Sequence, residues 1–83
     1  MNITVRTAGL LGRYLPQGSA GNEARLELDG DATPLDVMRR LGLPEEDRYL
    51  IMLNGQVVPA ARRQLVRLSD GDDLGVFPPL KGG

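Results

Sequence analysis

The segment Phe77-Pro78-Pro79-Leu80-Lys81-Gly82-Gly83 holds the residues whose types could do chemistry, and the group that would do it is the carboxylate of Gly83. Glycine has no β-carbon, so Gly82 and Gly83 can enter a narrow slot in another protein and approach its backbone closely. Pro78 and Pro79 restrict φ and favour an extended exit, so less conformational freedom is lost when the tail threads into such a slot. The pattern presents the terminus as a substrate. Lys81 is the only lysine in the chain; it can contact acidic groups on a partner or serve as a solvated charge that keeps the tail soluble.

The rest of the composition removes competing chemistry. The chain has 83 residues, enough for a single domain, and folding at that size buries only about 60% of the accessible surface. With no Cys there are neither disulfides nor thiolate metal ligands, and with no His there is no base tuned to neutral pH. A formal net charge of -1 argues against a polyanion-binding surface, so nucleic acid is not an expected partner. No apolar run reaches the length of a membrane span, and residues 1–20 lack the basic, apolar, cleavable pattern of a leader. The expected location is cytoplasmic.

The elements that must position the tail follow from periodicity. Residues 1–7 alternate, with Ile3, Val5 and Thr7 on one side, and residues 23–28 alternate through Ala24, Leu26 and Leu28, so two strands paired as a hairpin are predicted. Between them, residues 9–21 combine glycines and Pro16 with Leu10-Leu11 and Tyr14-Leu15, which predicts a loop with a few residues turned inward. Thr33-Pro34 predicts a helix start with Thr33 as N-cap and Asp36 reaching back to it. The helix should run to Leu41 and end at Gly42, with Leu35, Met38 and Leu41 forming its core face.

Residues 49–53 form an apolar run that ends in Asn54-Gly55, a strong hairpin signal, with Val57-Val58 returning. Leu65 and Leu68 are expected to anchor an irregular crossover, followed by a turn at Ser69-Asp70-Gly71-Asp72 and a last strand through Leu74 and Val76. Asp70, Asp72 and Asp73 lack the later ligands of a calcium loop and read as a turn, so no metal site is expected. Glu45-Glu46-Asp47 and Arg62-Arg63 with Arg67 read as solvated faces. The order matches an α+β, β-grasp (ubiquitin-like) roll: a mixed sheet with one main helix packed on one face. The domain is assigned to residues 1–79 and the flexible Gly-Gly tail to residues 80–83.

One helix covers one side of a sheet, and the strand over residues 49–53 is apolar on both parities. Tyr49, Ile51, Leu53, Leu74 and Val76 make the better core set. Leu50, Met52 and Phe77 are therefore predicted on the outer face, as a docking patch beside the tail, the alternative being that the loop over residues 9–21 caps them.

The run from Ser69 to Gly83, with its Asp-Gly-Asp turn, its strand ending in Phe77-Pro78-Pro79 and its final Gly82-Gly83, resembles the C-terminal signature of the MoaD/ThiS family of ubiquitin-like sulfur carriers. Thr33-Pro34 and Leu53-Asn54-Gly55-Gln56-Val57-Val58 extend the resemblance over nearly the whole chain. The Phe-Pro-Pro form is closest to the small subunit of molybdopterin synthase. The resemblance implies a non-enzymatic carrier that binds no cofactor. A partner adenylating enzyme, of the ubiquitin-activating type and using ATP, would activate Gly83, and a sulfur donor system would convert it to a thiocarboxylate. Gly82, Lys81 and Leu80 would give access to the activating site, with Phe77, Pro78, Pro79, Leu50 and Met52 binding partners. The sulfur acceptor would be the molybdopterin synthase large subunit or another acceptor enzyme, including one for thiamine. The ending Leu80-Lys81-Gly82-Gly83 also resembles that of ubiquitin, which implies the alternative of a modifier joined to lysines through Gly83.

Overall fold

A computed structural model describes residues 1–16, 21–44 and 48–79. Strand β1, Asn2–Thr7, turns Ile3, Val5 and Thr7 inward, as its alternation requires. Strand β2, Glu23–Glu27, returns antiparallel to it with Val5 opposite Ala24 and Ile3 opposite Leu26. The first part of the connection is helical: Gly9–Tyr14 forms a 3-10 helix, entered at Gly9 with φ of 58°. Leu15 is buried and Leu11 and Tyr14 pack partly against the core, whereas Leu10 is 81% exposed.

Helix α1, Pro34–Leu41, begins at a complete capping box. The Asp36 N–H donates to Thr33 Oγ1 at 3.2 Å, and the Thr33 N–H donates to Asp36 Oδ2 at 2.9 Å. Gly42 ends the helix in the left-handed region, with φ of 75°, which a β-carbon would disfavour. The buried stripe differs from the predicted one. Pro34, Val37 and Met38 are buried, with Leu41 packed beside them, while Leu35 is half-buried outside the core cluster. The i, i+3, i+4, i+7 ladder starts at Pro34, the first helical residue, and so leaves Leu35 at the margin. There its N–H donates to the Arg63 carbonyl at 3.1 Å.

Strands β3, Leu50–Leu53, and β4, Gln56–Val57, form the second hairpin. Asn54 and Gly55 have φ of 51° and 83°, both positive as a type I′ turn demands. A short 3-10 turn, Ala60–Arg62, opens the crossover. Leu68 anchors it at 3% exposure, its N–H donating to the Ala32 carbonyl at 2.9 Å. Leu65 does not: it is 65% exposed. Arg63, read as part of a solvated face, is buried at 6% exposure, and its guanidinium donates to the Tyr49 carbonyl. A long side chain can reach a backbone acceptor across the core margin in this way, while Arg62 and Arg67 stay exposed.

Strand β5, Asp73–Phe77, enters the middle of the sheet, giving the order β2-β1-β5-β3-β4. It runs parallel to β1, with Val5 opposite Leu74, and antiparallel to β3, with Ile51 opposite Val76. Val5, Val37, Ile51, Leu74 and Val76 are each 0% exposed and tie the inner sheet face to α1 in one core. The expected α+β roll, a mixed sheet with one main helix on one face, is the observed architecture.

Candidate functional site

The face of the sheet opposite α1 is set by strand parity. With Ile51, Leu74 and Val76 inward, Leu50, Met52, Asp73, Gly75 and Phe77 must point outward. The register places Leu50 across from Phe77 and Met52 across from Gly75. All three predicted patch residues, Leu50, Met52 and Phe77, are half-buried on this one face.

Val57 of β4 extends the apolar strip and was not singled out from the sequence. It pairs with Met52, shares its face and is 60% exposed. A signal was present: a two-residue turn at Asn54-Gly55 forces Leu53 opposite Gln56 and Met52 opposite Val57.

The other half of the outer face is charged. Arg6 on β1 bridges two strands, with Nη1 at 2.9 Å from Glu23 Oε2 and Nε at 2.8 Å from Asp73 Oδ2. The hydrogen bond and charge of Asp73, followed by the charge of Glu23, hold the Arg6 guanidinium above its ordinary pKa. The pairs are about half exposed, so they orient the side chains more than they stabilise the fold. Where the halves meet lies a shallow depression of about 240 Å³, lined by Arg6, Met52, Asn54, Asp73, Gly75 and Phe77.

The rim of that depression is held by the turn before β5. Ser69 N–H donates to Asp72 Oδ2 at 2.7 Å, and Asn54 Nδ2 donates to Asp72 Oδ1 at 2.9 Å. Asp70 Oδ1 accepts the Asn2 N–H at 2.7 Å. These carboxylates are engaged in turn and strand hydrogen bonds. Among the described residues, no group of three or more Asp or Glu side chains is placed to hold a metal ion.

From Phe77 the chain leaves the sheet through Pro78, which is exposed, and Pro79, which is half-buried. The proposed modification site Gly83, with Gly82, Lys81 and Leu80, lies outside the described residues, as does Glu45-Glu46-Asp47. The structure thus brings together Leu50, Met52, Phe77 and Pro78-Pro79 at the point of departure. This apolar strip with a charged border can bind a partner's apolar surface. No helix among the described residues is long and apolar enough to cross a membrane.

Comparison with known proteins gives one family model: that of the ThiS family, matched over residues 16–83. The span takes in α1, the Asn54-Gly55 hairpin, β5 and Gly82-Gly83. No curated protein matches the chain by sequence. The fold is similar to the solution structure of the Haloferax volcanii HVO 2177 protein, with TM-score 0.80, 27% identity and coverage of 100% of this chain and 87% of that one. It is similar to small archaeal modifier protein 1 of H. volcanii, with TM-score 0.71, 22% identity and coverage of 95% and 98%. It is also similar to a chain in the complex of subunits 1 and 2 of molybdopterin-converting factor from Helicobacter pylori, with TM-score 0.63, 20% identity and full coverage of both chains.

Proposed function

The chain belongs to the ThiS family, and from that premise we propose that it is a sulfur carrier whose Gly83 carboxylate is adenylated and then converted to a thiocarboxylate. The observation that carries this reading is that the family match runs through Gly82-Gly83 and includes β5, which delivers the chain toward the tail from the centre of the sheet.

The chemistry accounts for a participant with neither Cys nor His. A free carboxylate is a poor electrophile. Attack of a Gly83 carboxylate oxygen on the α-phosphorus of ATP expels pyrophosphate and leaves an acyl-adenylate. Attack of sulfide-level sulfur (HS⁻) from the sulfur donor on the acyl carbon then forms the C–S bond, expels AMP and releases the S–H proton, and the resulting thiocarboxylate is a soft anionic nucleophile at neutral pH. The ATP-binding and acid-base groups come from the adenylating partner, and this chain contributes an accessible tail and a docking surface. Leu50, Met52 and Phe77, with Pro78 and Pro79, form that surface in this reading, and Leu80, Lys81 and Gly82 line the tail's entry into the partner.

The pathway proposed is molybdopterin synthesis, with a larger synthase subunit receiving the thiocarboxylated tail. Phe77-Pro78-Pro79 supports it, as does the likeness of fold to a component of the H. pylori molybdopterin-converting factor complex. Thiamine or another sulfur-containing product would need only a different acceptor, because the acceptor enzyme determines the product.

The test is intact-mass spectrometry of the protein incubated with ATP, a sulfur donor and an adenylating enzyme from the same organism. A mass gain equal to the exchange of one oxygen for sulfur, lost when Gly83 is deleted, is the expected result. No change with an intact tail would sink the carrier reading.

A second reading, a modifier conjugated through Gly83, is favoured by the Leu80-Lys81-Gly82-Gly83 ending and by the likeness of fold to small archaeal modifier protein 1. Trypsin cutting after Lys81 would leave Gly-Gly on a conjugated lysine. Such remnants, dependent on this protein, would mark the modifier.

A further inference from the structure

Gly75 sits on the outer face of β5, two residues before Phe77, and so on the same side of the strand. A β-carbon built there would lie 2.5 Å from Phe77 Cε2 and 2.8 Å from Cζ, well inside van der Waals contact. The Phe77 ring is therefore folded back along β5 and occupies the space that any other residue at position 75 would fill. Gly75 is buried. Its φ is not positive, so its backbone conformation is open to other residues and does not itself demand glycine. An interior strand glycine weakens a sheet, and an aromatic ring laid over it restores the lost burial.

We infer that Gly75 is a positioning residue for partner docking: by lacking a β-carbon it lets the Phe77 ring lie down on the sheet. The inference rests on the reading of the outer face as the docking surface. With the ring lowered, Leu50, Met52 and Phe77 make a low platform. The adenylating partner would meet this platform with an apolar surface. A side chain at position 75 would displace the ring, which is the free end of a flexible side chain, while leaving the backbone where it is. The ring would then rise into the partner's position or crowd the exit of the tail. The effect of position 75 on docking passes entirely through Phe77.

Phe77 is the only phenylalanine in the chain, which makes the ring readable by NMR. In the wild-type protein the Gly75 Hα signals should be ring-shifted and show cross-relaxation to the Phe77 Hε and Hζ protons. In Gly75→Ala the Phe77 ring should be pushed off the residue-75 Hα, weakening its ring shift and cross-relaxation, while the methyl shifts of Ile51, Leu74 and Val76 stay in place. In ATP-pyrophosphate exchange with the adenylating enzyme of the same organism, Gly75→Ala should raise the KM for this protein roughly fivefold or more with kcat unchanged. In a Phe77→Leu background the same substitution should have no further effect, because the residue it acts through is gone.

Absence of the Gly75 to Phe77 contact in the wild type would overturn the inference. So would a wild-type KM in Gly75→Ala, or an undiminished effect of that substitution in the Phe77→Leu background. If Phe77→Leu by itself raises KM while Gly75→Ala does not, the docking reading stands and the positioning role falls. If neither does, the docking reading falls with it.

Discussion

Asn54 and Asp73 are joined by two hydrogen bonds: the Asp73 N–H donates to Asn54 Oδ1 at 2.9 Å, and the Asn54 N–H donates to the Asp73 carbonyl at 2.8 Å. The turn of the second hairpin is thereby fastened to the first residue of β5, the strand that leads to the tail. Asn54 holds φ of 51° while doing so. Asparagine suits this position twice over, because it tolerates the left-handed region and its amide reaches the neighbouring backbone.

That double role predicts an order of stabilities. Asn54→Gly keeps the backbone conformation and loses the side-chain bonds, costing about 1 kcal/mol. Asn54→Ala loses the same bonds but, unlike Gly, keeps a β-carbon in the left-handed region with no amide to compensate for it, and should be about 1 kcal/mol less stable than the Gly variant. Urea midpoints should therefore fall from wild type to Gly to Ala; an Ala variant as stable as the Gly variant would show that the positive φ carries no cost.

The capping box at Thr33 and Asp36 should matter for a helix of only 8 residues. Thr33→Ala is expected to cost about 1 kcal/mol. Each side chain satisfies the other's backbone N–H, so the double variant Thr33→Ala/Asp36→Ala should cost less than the sum of the singles. Strict additivity in chemical denaturation would mean that the two bonds act independently.

The two faces of the sheet should respond differently to truncation. Leu74 is 0% exposed, and Leu74→Ala should cost about 2–5 kcal/mol. That is a large share of the roughly 4–12 kcal/mol that a domain of this size holds. Leu50→Ala and Met52→Ala, on the half-buried outer face, should each cost less than about 1.5 kcal/mol. They should nevertheless weaken binding to the adenylating partner. Thermal unfolding beside a binding titration separates the two classes, and normal binding by both outer-face variants would argue against the docking surface.

Gly83→Leu should abolish thiocarboxylate formation while leaving the unfolding curve of the domain unchanged, because in the proposed role the added side chain would block a slot in the partner. Normal activation of this variant, measured by pyrophosphate exchange, would contradict the role proposed for the tail.

Much of this fold was legible because it is specified by residues close together in the chain. The capping box needs only Thr33 and Asp36, and the helix end needs only Gly42 in the left-handed region. The second hairpin needs two adjacent residues with positive φ at Asn54 and Gly55, and the inward set of β1 needs only alternation. Parity, with the bulkier aliphatic set assigned to the core, separates Leu50, Met52 and Phe77 from Ile51, Leu74 and Val76 within their strands. The C-terminal motif also pointed to the family, because a Gly-Gly carboxylate behind Phe-Pro-Pro is a chemical specification that requires no folding to be read.

Tertiary structure decided whatever depended on a neighbour distant in sequence. It chose Val37 over Leu35 for the core, because α1 meets the sheet along a stripe that begins at Pro34. Leu65 was left in solvent and Arg63 was buried with its guanidinium on the Tyr49 carbonyl, since the path of the crossover is set by what it must pass and not by its own composition. Insertion of β5 between β1 and β3 placed Gly75 beside Met52 and completed the outer face around Phe77. A sequence states which residues are apolar and how they alternate. Only pairing of strands far apart along the chain states which of them become neighbours.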